Sequence, residues 1–598
     1  MSEYRAPVED IRFVLDHIAG IGDLSQLPGF EHCEAELVTG MLSEASRFMT
    51  EIMSPLNEIG DRQGSQLRDG QVVTPEGFKA AFKKFAAAGW NSVGLDPNYG
   101  GGGLPYTLAV VIQEMVASAN MAFGLCPALG EGAIEALHDH GTEQLKNTFL
   151  PNLVGGLWTA TMDLTEPQAG SDLGSLRTTA TPQGDGSYLI SGTKIFITWG
   201  DHDMADNIIH LVLARVPDAP KGTRGISCFI VPKFLVNEDG SLGDRNDVNC
   251  VSLEHKLGIH ASPTAIMSYG ENGDCVGYLI GEENEGLRYM FTMMNRERIF
   301  VGAQGLGVAE RAYQRAVEYA LERRQGRALG AESPTGEMSR IVDHADVRRN
   351  LLIMRSHIEA MRCLLYTATS AVDVSANHPD EAVRQKAGAR AALLTPVVKA
   401  WSSDLGVEMS SIGVQVHGGN GYIEETGAAQ HWRDARITPI YEGTNGIQSF
   451  DLVMRKIPME DGAVVREFID ELRAIETEVE SAGGAAAAVA PYLVKGIHTL
   501  EEATSWLLAH VREDKRAVAA AASPYLRLFG YVVGAALLGR SAVIAQKLIA
   551  DGNERPSLPA KITVAKFFAE HLLPQAVAQL GAVTAGDDAL FEIPADQL

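Results

Sequence analysis

The spacing of hydrophobic positions changes character along the chain, and the changes mark out its elements. From residue 1 to about 160, apolar positions are spaced among charges, as in segments 34–57 and 75–88, which predicts helices. Asp96-Pro-Asn-Tyr-Gly-Gly-Gly-Gly103 interrupts them and reads as a loop. Between about 160 and 280, short runs rich in β-branched and aromatic residues take over: Ser187–Ser191, Lys194–Thr198, Ile208–Leu213 and Ile226–Val231. Gly, Asp, Asn and Pro separate them, so they read as strands. The helical period returns at 287, where Leu306, Ala309, Tyr313, Ala316, Val317, Ala320 and Leu321 fall on one face. Helical patterns continue at 341–376, 380–412 and 445–456. After an Ala/Gly-rich linker at 481–490 they resume at 498–522, 525–551 and 560–583. No fixed-period repeat is present. The order is helices, a β unit, helices and a further helical unit, which makes the chain α+β and mainly α.

Length and charge narrow this picture. A chain of 598 residues is too long for one core, since single cores stop growing at ~250–300 residues, so three or four packed units are expected. Lys and Arg number 50 against 76 Asp and Glu, a balance of −26. That acidity argues against a nucleic-acid partner, while leaving room for a local basic pocket. Six cysteines, at 33, 126, 228, 250, 275 and 363, stand singly and form no CxxC pair. The opening MSEYRAPVED has no apolar signal core, and the apolar run Leu528–Gly539 is shorter than the ~20 residues of a span. A cytoplasmic protein without a transmembrane segment is expected.

Three clusters carry candidate chemistry. Met162-Asp-Leu-Thr-Glu-Pro-Gln-Ala-Gly-Ser-Asp-Leu-Gly174 opens the β unit. Its Thr, Ser and two glycines, in a loop pinned by Pro, offer several close backbone N–H donors to a flat polar ring or a phosphate; the competing reading is a surface turn. Gln415-Val-His-Gly-Gly-Asn-Gly-Tyr422 has three glycines in four positions, permitting close approach of a ligand, but no strand precedes it and it is no dinucleotide fingerprint. His417 within it reads as structural rather than catalytic. Gly305 and Gly307 lie in a helical pattern and read as helix-packing glycines. In Arg433–Gln448, Glu442 stands between Tyr441 and Gly443. A carboxylate in apolar surroundings suits a general base; equally, Glu442 could cap the helix starting near Asn445. Asp201-His-Asp203 with Asp206, and His138-Asp-His140, lack metal-ligand spacing, so no metal is expected.

Taken together, the clusters resemble the acyl-CoA dehydrogenase family. Leu164–Asp172 resembles its first signature, and Gln415–Tyr422 its second, followed by Arg433-Asp-Ala and Tyr441-Glu-Gly-Thr444. Asp96–Gly101, Ile190–Thr198 and Ala320–Arg323 fall between them in the family's order. The resemblance covers about 75–455. It implies an N-terminal helical domain, a middle β-barrel domain and a C-terminal four-helix bundle, with an extra C-terminal helical domain here. The expected segments are 1–74, 75–159, 160–284, 285–456 and 457–598. The resemblance implies FAD as cofactor, bound between the β domain and the bundle. It assigns Met162, Leu164, Thr165, Ser171, Phe196 and Thr198 to the flavin, Arg323 to the pyrophosphate, and Gln415, Gly418, Gly419 and Thr444 to the rest of FAD. Ser171, Asn295, Arg298 and Gly443 are implied to meet the acyl-CoA substrate. Asp163, Gln430 and Arg324-Gln-Gly depart from the family pattern.

The activity implied is α,β-dehydrogenation of an acyl-CoA to the trans-2-enoyl-CoA. Glu442 takes the α-proton, the β-hydrogen leaves as hydride to the flavin, and hydrogen bonds to the thioester carbonyl stabilise the enolate. Electrons then pass to an electron-transfer flavoprotein, and a homodimer or dimer of dimers is implied. The opening Tyr4–Arg12, the segment Glu254–Pro263 and the C-terminal helices resemble a large bacterial subgroup that contains 3-methylthiopropionyl-CoA dehydrogenase, and membership in it does not fix the substrate. Medium or long straight-chain acyl-CoAs are the alternative. An acyl-CoA oxidase would hand electrons to oxygen instead. A nitroalkane oxidase would carry Asp in place of Glu442, and a DNA-associated flavoprotein of the alkylation response would conflict with the charge.

Overall fold

The computed structural model describes residues 4–330 and 337–598. The first three residues of the charged opening, and six within the expected segment 285–456, lie outside them. The chain divides into two compact units, residues 43–300 and residues 1–42 with 301–598.

In the first unit, helix α1 (Phe78–Ala87) buries Phe78, Ala81, Phe82 and Phe85 on one face. Helix α2 (Tyr106–His140) is apolar nearly all round and breaks at Asn120, with φ −161° and ψ 88°. The Asn120 Oδ1 accepts a hydrogen bond from the Phe123 N–H at 3.1 Å, which restarts the helix after the break. Helix α3 (Glu143–Val154) starts at Thr142, whose hydroxyl oxygen accepts from the Leu145 N–H.

Ten strands follow; two, Phe234–Val236 and Leu242–Arg245, pair with each other, and the other eight are β1 (Trp158–Asp163), β2 (Thr179–Pro182), β3 (Ser187–Thr198), β4 (Asn207–Ala214), β5 (Ser227–Pro232), β6 (Val248–Leu253), β7 (Thr264–Tyr269) and β8 (Val276–Leu279). These eight form one sheet in the order β6-β7-β3-β8-β5-β4-β1, with β2 paired to β3. Only the β1–β4 pair is parallel. The two runs expected at 187–191 and 194–198 are one strand, because Gly192 and Thr193 continue the ladder to β7. The expected closed β-barrel is corrected here. Among the described residues no pairing joins β6 to β1, so the sheet stays open. A barrel needs its edge strands to share a ladder. Here β1 is spent on a parallel pairing with β4 and packed under α2.

Alternation gives the sheet two buried faces. On β4, Ile209, Leu211 and Leu213 pack with α2, α3 and the start of helix α4 (Gly286–Glu322). Val212 and Ala214 face the opposite way, toward Phe229, Val231, Val248, Met267 and Tyr269. That second face is the inside of the curled sheet. Tyr269 on β7 bridges to β1 and β4 there, its hydroxyl donating to Asp163 Oδ1 at 2.8 Å and lying 3.2 Å from His210 Nδ1. Side chains thus link strands that the backbone leaves unpaired.

In the second unit, α4 meets an antiparallel pair, α5 (Ala345–Asn377) and α6 (Glu381–His417). A Cβ on Gly305 would lie 2.3 Å from the Ser402 carbonyl oxygen, so α4 and α6 cross in backbone contact, the packing role expected of that glycine. Short helices α7 (Ala428–Ala435) and α8 (Asn445–Asp451) follow. The C-terminal part adds α9 (Ala463–Ser481), α10 (Ala490–His510), α11 (Ala522–Ala550) and α12 (Ser557–His571). Helix α11 packs on α5, α6, α8 and α12, with Gly530 seated against the Trp401 ring. The N-terminal helix Val8–Val14 is fastened to the same unit by buried ion pairs. Asp10 meets Arg362 and Lys561, Arg362 reaches Glu310 at 3.0 Å, and Lys561 reaches Glu359 at 3.1 Å.

Among the described residues two helices, α2 and α11, are long and apolar enough to cross a membrane. Their most apolar stretches are 100% and 83% buried inside the protein, which marks them as core helices.

Candidate active site

The first unit presents a rim where β1 and β3 end. Met162 is half-buried at the end of β1, Leu164 is buried, and Thr165 is half-buried. The segment is fixed by Lys194 of β3, which is fully buried. Its ammonium donates to the Leu164 carbonyl at 3.1 Å and to Glu166 Oε1 at 2.9 Å. Glu166 also accepts from the Thr178 N–H at 3.0 Å, the Thr178 hydroxyl at 2.6 Å and the Arg177 N–H at 2.7 Å. Burial alone would raise the Glu166 pKa. The Lys194 charge and these donors outweigh it and bring the carboxyl down to about 2.

A β-bulge in β3 shapes the other side of the rim. Ile195 and Phe196 stand opposite Ile266 alone, and Phe196 takes φ +59°. The bulge turns the Ile195 N–H toward the Thr165 carbonyl, at 2.9 Å, and the Thr161 hydroxyl donates to the Thr198 carbonyl at 2.8 Å. Phe196 is left 58% exposed. A large apolar ring, exposed and held in a left-handed backbone, stores strain of the kind found at ligand-contacting positions. Ser171 lies exposed on the following turn, which Asp172 closes by accepting from the Gly174 N–H at 2.8 Å. The rim therefore unites Met162, Leu164, Thr165, Phe196 and Thr198, with Ser171 farther along the same loop.

Asn295 and Arg298 lie one turn apart on α4, with Arg298 Nη1 donating to Asn295 Oδ1 at 3.2 Å. Beside them Arg296 pairs with Glu135 and covers the Tyr106 ring at 4.0 Å. The buried Glu131 accepts from Gln113 at 2.7 Å, and burial pushes its pKa up to about 8 against the pull of that bond and Arg296.

The second unit carries the other residues in two places. Helix α6 ends at His417, and Gly418 turns the chain with φ 59° and ψ −139°, a conformation that essentially only glycine adopts. A Cβ at Gly418 or Gly419 would meet no heavy atom within 4 Å, so the turn is open. His417 is structural, as read from the chain. Its Nδ1 lies 2.7 Å from the Gly413 carbonyl, its ring stacks on Tyr319 at 4.6 Å, and burial lowers its pKa. Gln415 is exposed on the last turn of α6, and Arg323 is exposed one helical turn beyond Tyr319.

Glu442 sits on the loop between α7 and α8. Glu442 and Gly443 are both left-handed, with φ 55° and 81°, and Glu442 is half-buried. The Asn445 N–H donates to the Pro439 carbonyl at 2.9 Å, closing the loop, and the Tyr441 hydroxyl bonds to Gln304. The reading of Glu442 as helix cap is corrected. Thr444 is the N-cap of α8, its Oγ1 accepting from the Ile447 N–H at 3.3 Å, so the capping position belongs to Thr444.

The patches weighed as metal ligands are engaged in hydrogen bonds and ion pairs. Asp201 pairs with Lys233 at 2.5 Å, His202 Nε2 lies 2.9 Å from Thr159 Oγ1, and Asp203 accepts from Thr74. His138 meets Asp96, and His140 meets Thr292.

Four family domains match the chain in order. Acyl-CoA dehydrogenase N-terminal domain covers residues 41–156, middle domain 161–269 and C-terminal domain 284–457, followed by an acetyl-CoA dehydrogenase C-terminal-like domain at 464–594. The chain belongs to the acyl-CoA dehydrogenase family. It is an FAD-dependent oxidoreductase acting on the CH–CH bond of an acyl-CoA. It is 45% identical to the 3-methylmercaptopropionyl-CoA dehydrogenase of Ruegeria pomeroyi over 588 residues, 98% of this chain and 99% of that protein. It is 33% identical to the broad-specificity linear acyl-CoA dehydrogenase FadE5 of Mycobacterium tuberculosis, over 99% of each chain. The fold matches the solved acyl-CoA dehydrogenase of Bacillus anthracis complexed with FAD at a TM-score of 0.72. That likeness has 20% identity and covers 96% of this chain and 91% of that one.

Two groups escaped the sequence reading. The Asp163–His210–Tyr269 cluster left a trace, since Asp163 stood out as a departure from the family pattern. The Lys399–Asn445 contact left none.

Proposed function

We propose that Glu442 is the general base that removes the substrate's α-proton. The observation carrying this is its setting: a half-buried carboxylate, in a strained left-handed backbone, on a loop closed at both ends, with the N-cap position of α8 taken by Thr444. Partial burial raises a carboxylate's affinity for a proton, and closure over a substrate increases it further. Gly443 leaves space beside the carboxylate for the acyl chain. Bound FAD supplies the acceptor for the β-hydrogen as hydride.

The rim residues fit a flat ring. Phe196 offers an exposed aromatic face, and the Met162–Thr165 and Thr198 segments are held rigidly enough to present polar groups in fixed directions. Arg323 is an exposed cation suited to a pyrophosphate, and the open Gly418-Gly419 turn, with Gln415, admits an adenosine. Thr444 stands beside the base, Ser171 and Asn295 are exposed donors for the substrate, and Arg298 supplies positive charge for an anionic CoA.

The substrate we infer is 3-methylthiopropionyl-CoA, supported by end-to-end similarity to the Ruegeria enzyme named for that acyl group. Straight-chain acyl-CoAs are the second reading, supported by the equally complete match to the mycobacterial enzyme. Electrons pass to a separate electron-transfer flavoprotein, and the working form is a homodimer or dimer of dimers. Six buried free thiols suit a cytoplasmic location. Turnover of 3-methylthiopropionyl-CoA against butyryl- and longer acyl-CoAs, with a dye or electron-transfer flavoprotein as acceptor, tests this. A higher kcat/KM for the thioether substrate is expected. A preference for straight chains transfers the reading to the second substrate class, and stoichiometric peroxide without an added acceptor means an oxidase.

A further inference from the structure

We propose that Asn445 is a positioning residue for Glu442, orienting the base through a polar clamp to helix α6. The proposal rests on Glu442 being the base. Asn445 lies three residues after it and is the first residue of α8. Its side-chain oxygen accepts from the fully buried Lys399 ammonium at 2.8 Å. Its side-chain nitrogen lies 2.7 Å from Asp404 Oδ1, 2.9 Å from Ser403 Oγ and 3.1 Å from the Ala400 carbonyl. An ammonium only donates and a carbonyl oxygen only accepts, so the amide has one workable orientation. A flipped amide would set its NH₂ against the ammonium.

The same residue closes the loop at its other end. The Asn445 N–H holds the Pro439 carbonyl, so the loop from 439 to 445 is pinned at its start by the backbone of Asn445 and at its end by the side chain. Between the pins, Glu442 and Gly443 occupy left-handed conformations. A non-glycine residue pays roughly 1–2 kcal/mol there, and such geometry persists only where the surroundings over-determine it. Asn445 supplies that over-determination.

The C-terminal helices border the same platform. A cavity of about 320 Å³ lies behind the clamp, lined by Asp404, Asn445 and Ser449 and, from α11, by Ser523, Pro524 and Arg527. Arg527 pairs with Glu408 of α6 at 2.9 Å, one turn beyond Asp404. Helix α11 thus supports the helix to which the base loop is clamped.

The test uses the FAD-loaded enzyme and compares Asn445→Ala, Asn445→Ser, Lys399→Met and the Lys399→Met/Asn445→Ala double variant. The readouts are FAD content, kcat, KM and the isotope effect with α-deuterated substrate. Asn445→Ala is expected to lower kcat about 10- to 100-fold, the scale of a misplacement near 1 Å, while KM and FAD content hold and the isotope effect rises. Asn445→Ser keeps one hydrogen-bonding group and should recover part of the rate. Lys399→Met should reproduce the loss, and the double variant should be no worse than the worse single one, because the two act as a unit. Should Asn445→Ala prove too unstable to isolate, Asn445→Ser and Lys399→Met must still show lower kcat with a raised isotope effect. A kcat within about twofold of wild type, or a loss of kcat with no change in isotope effect, overturns the proposal. Glu442→Gln separates the two ideas. If that variant turns over normally the base assignment has failed; if it is inactive while the Asn445 and Lys399 variants are normal, only the positioning role has.

Discussion

The rim of the sheet and the base loop solve the same problem by different means. Both hold a non-glycine residue in a left-handed conformation, Phe196 at φ 59° and Glu442 at φ 55°. The rim is anchored by a buried ion pair, Lys194 with Glu166. The base loop is anchored by a neutral amide, Asn445, between Lys399 and Asp404. The residue that holds the base loop is itself neutral, and the charges in that clamp belong to Lys399 and Asp404 of α6, whereas at the rim the anchoring groups are themselves the charged pair. The difference also shows that much of the first signature is scaffold: Glu166 is spent on Lys194, Arg177 and Thr178.

The largest expected break in this comparison comes from the base itself. Glu442→Gln should keep FAD and lose activity by about 10³-fold or more, the upper range for a general base. Steady-state turnover checks it, and activity within a few-fold of wild type would remove Glu442 from the mechanism.

Lys194→Met attacks the rim. Leaving Glu166 buried without its cation should cost about 3–5 kcal/mol in urea unfolding. FAD should also be released, because Leu164 and Thr165 lose their anchor. A loss below about 1 kcal/mol would mean the pair is solvated and contributes little.

Glu131 sharpens the point, since it is a buried carboxyl in the same unit that no cation holds so low. Its folded pKa of about 8 lies above the ordinary glutamate value of 4.5. The folded state then holds a proton that the unfolded state has lost. Stability is full below 4.5 and falls as pH rises toward 8, with a slope of at most about 1.4 kcal/mol per pH unit. Glu131→Gln should flatten that decline in thermal melts between pH 5 and 8. An unchanged slope would show that Glu131 is ionised in the folded protein.

The smallest effect is expected at the cap. Thr444→Ala should cost about 1 kcal/mol by freeing the Ile447 N–H. A change in kcat larger than that from Asn445→Ala would show that Thr444, not Asn445, governs the base.

Much of the architecture was legible in the chain. The helical periods beyond 287 correspond to α4, α5 and α6, and the short β-branched runs correspond to β3, β4 and β5. The packing role of Gly305 and the structural role of His417 followed from local context. The closed barrel did not, because edge pairing depends on which strands meet. Nothing in Trp158–Asp163 announces a parallel partner 49 residues away, as Trp158 has in Asn207. The cap was misread as one of two options for Glu442, since a carboxylate and a threonine two residues apart can each serve the same helix start.

The sequence by itself determined the periods, the acidic balance, the absence of paired cysteines and the ordered signatures that define the family. Each depends on neighbours within a few residues or on composition. The tertiary structure decided that the sheet remains open, that Glu166 is held near pKa 2 while Glu131 is raised toward 8, and that Asn445 meets Lys399. Those outcomes depend on burial and on contacts between residues far apart, 46 positions in the case of Lys399 and Asn445. A side chain's charge, orientation and strain are set by what packs against it, and that information exists only once the chain has folded.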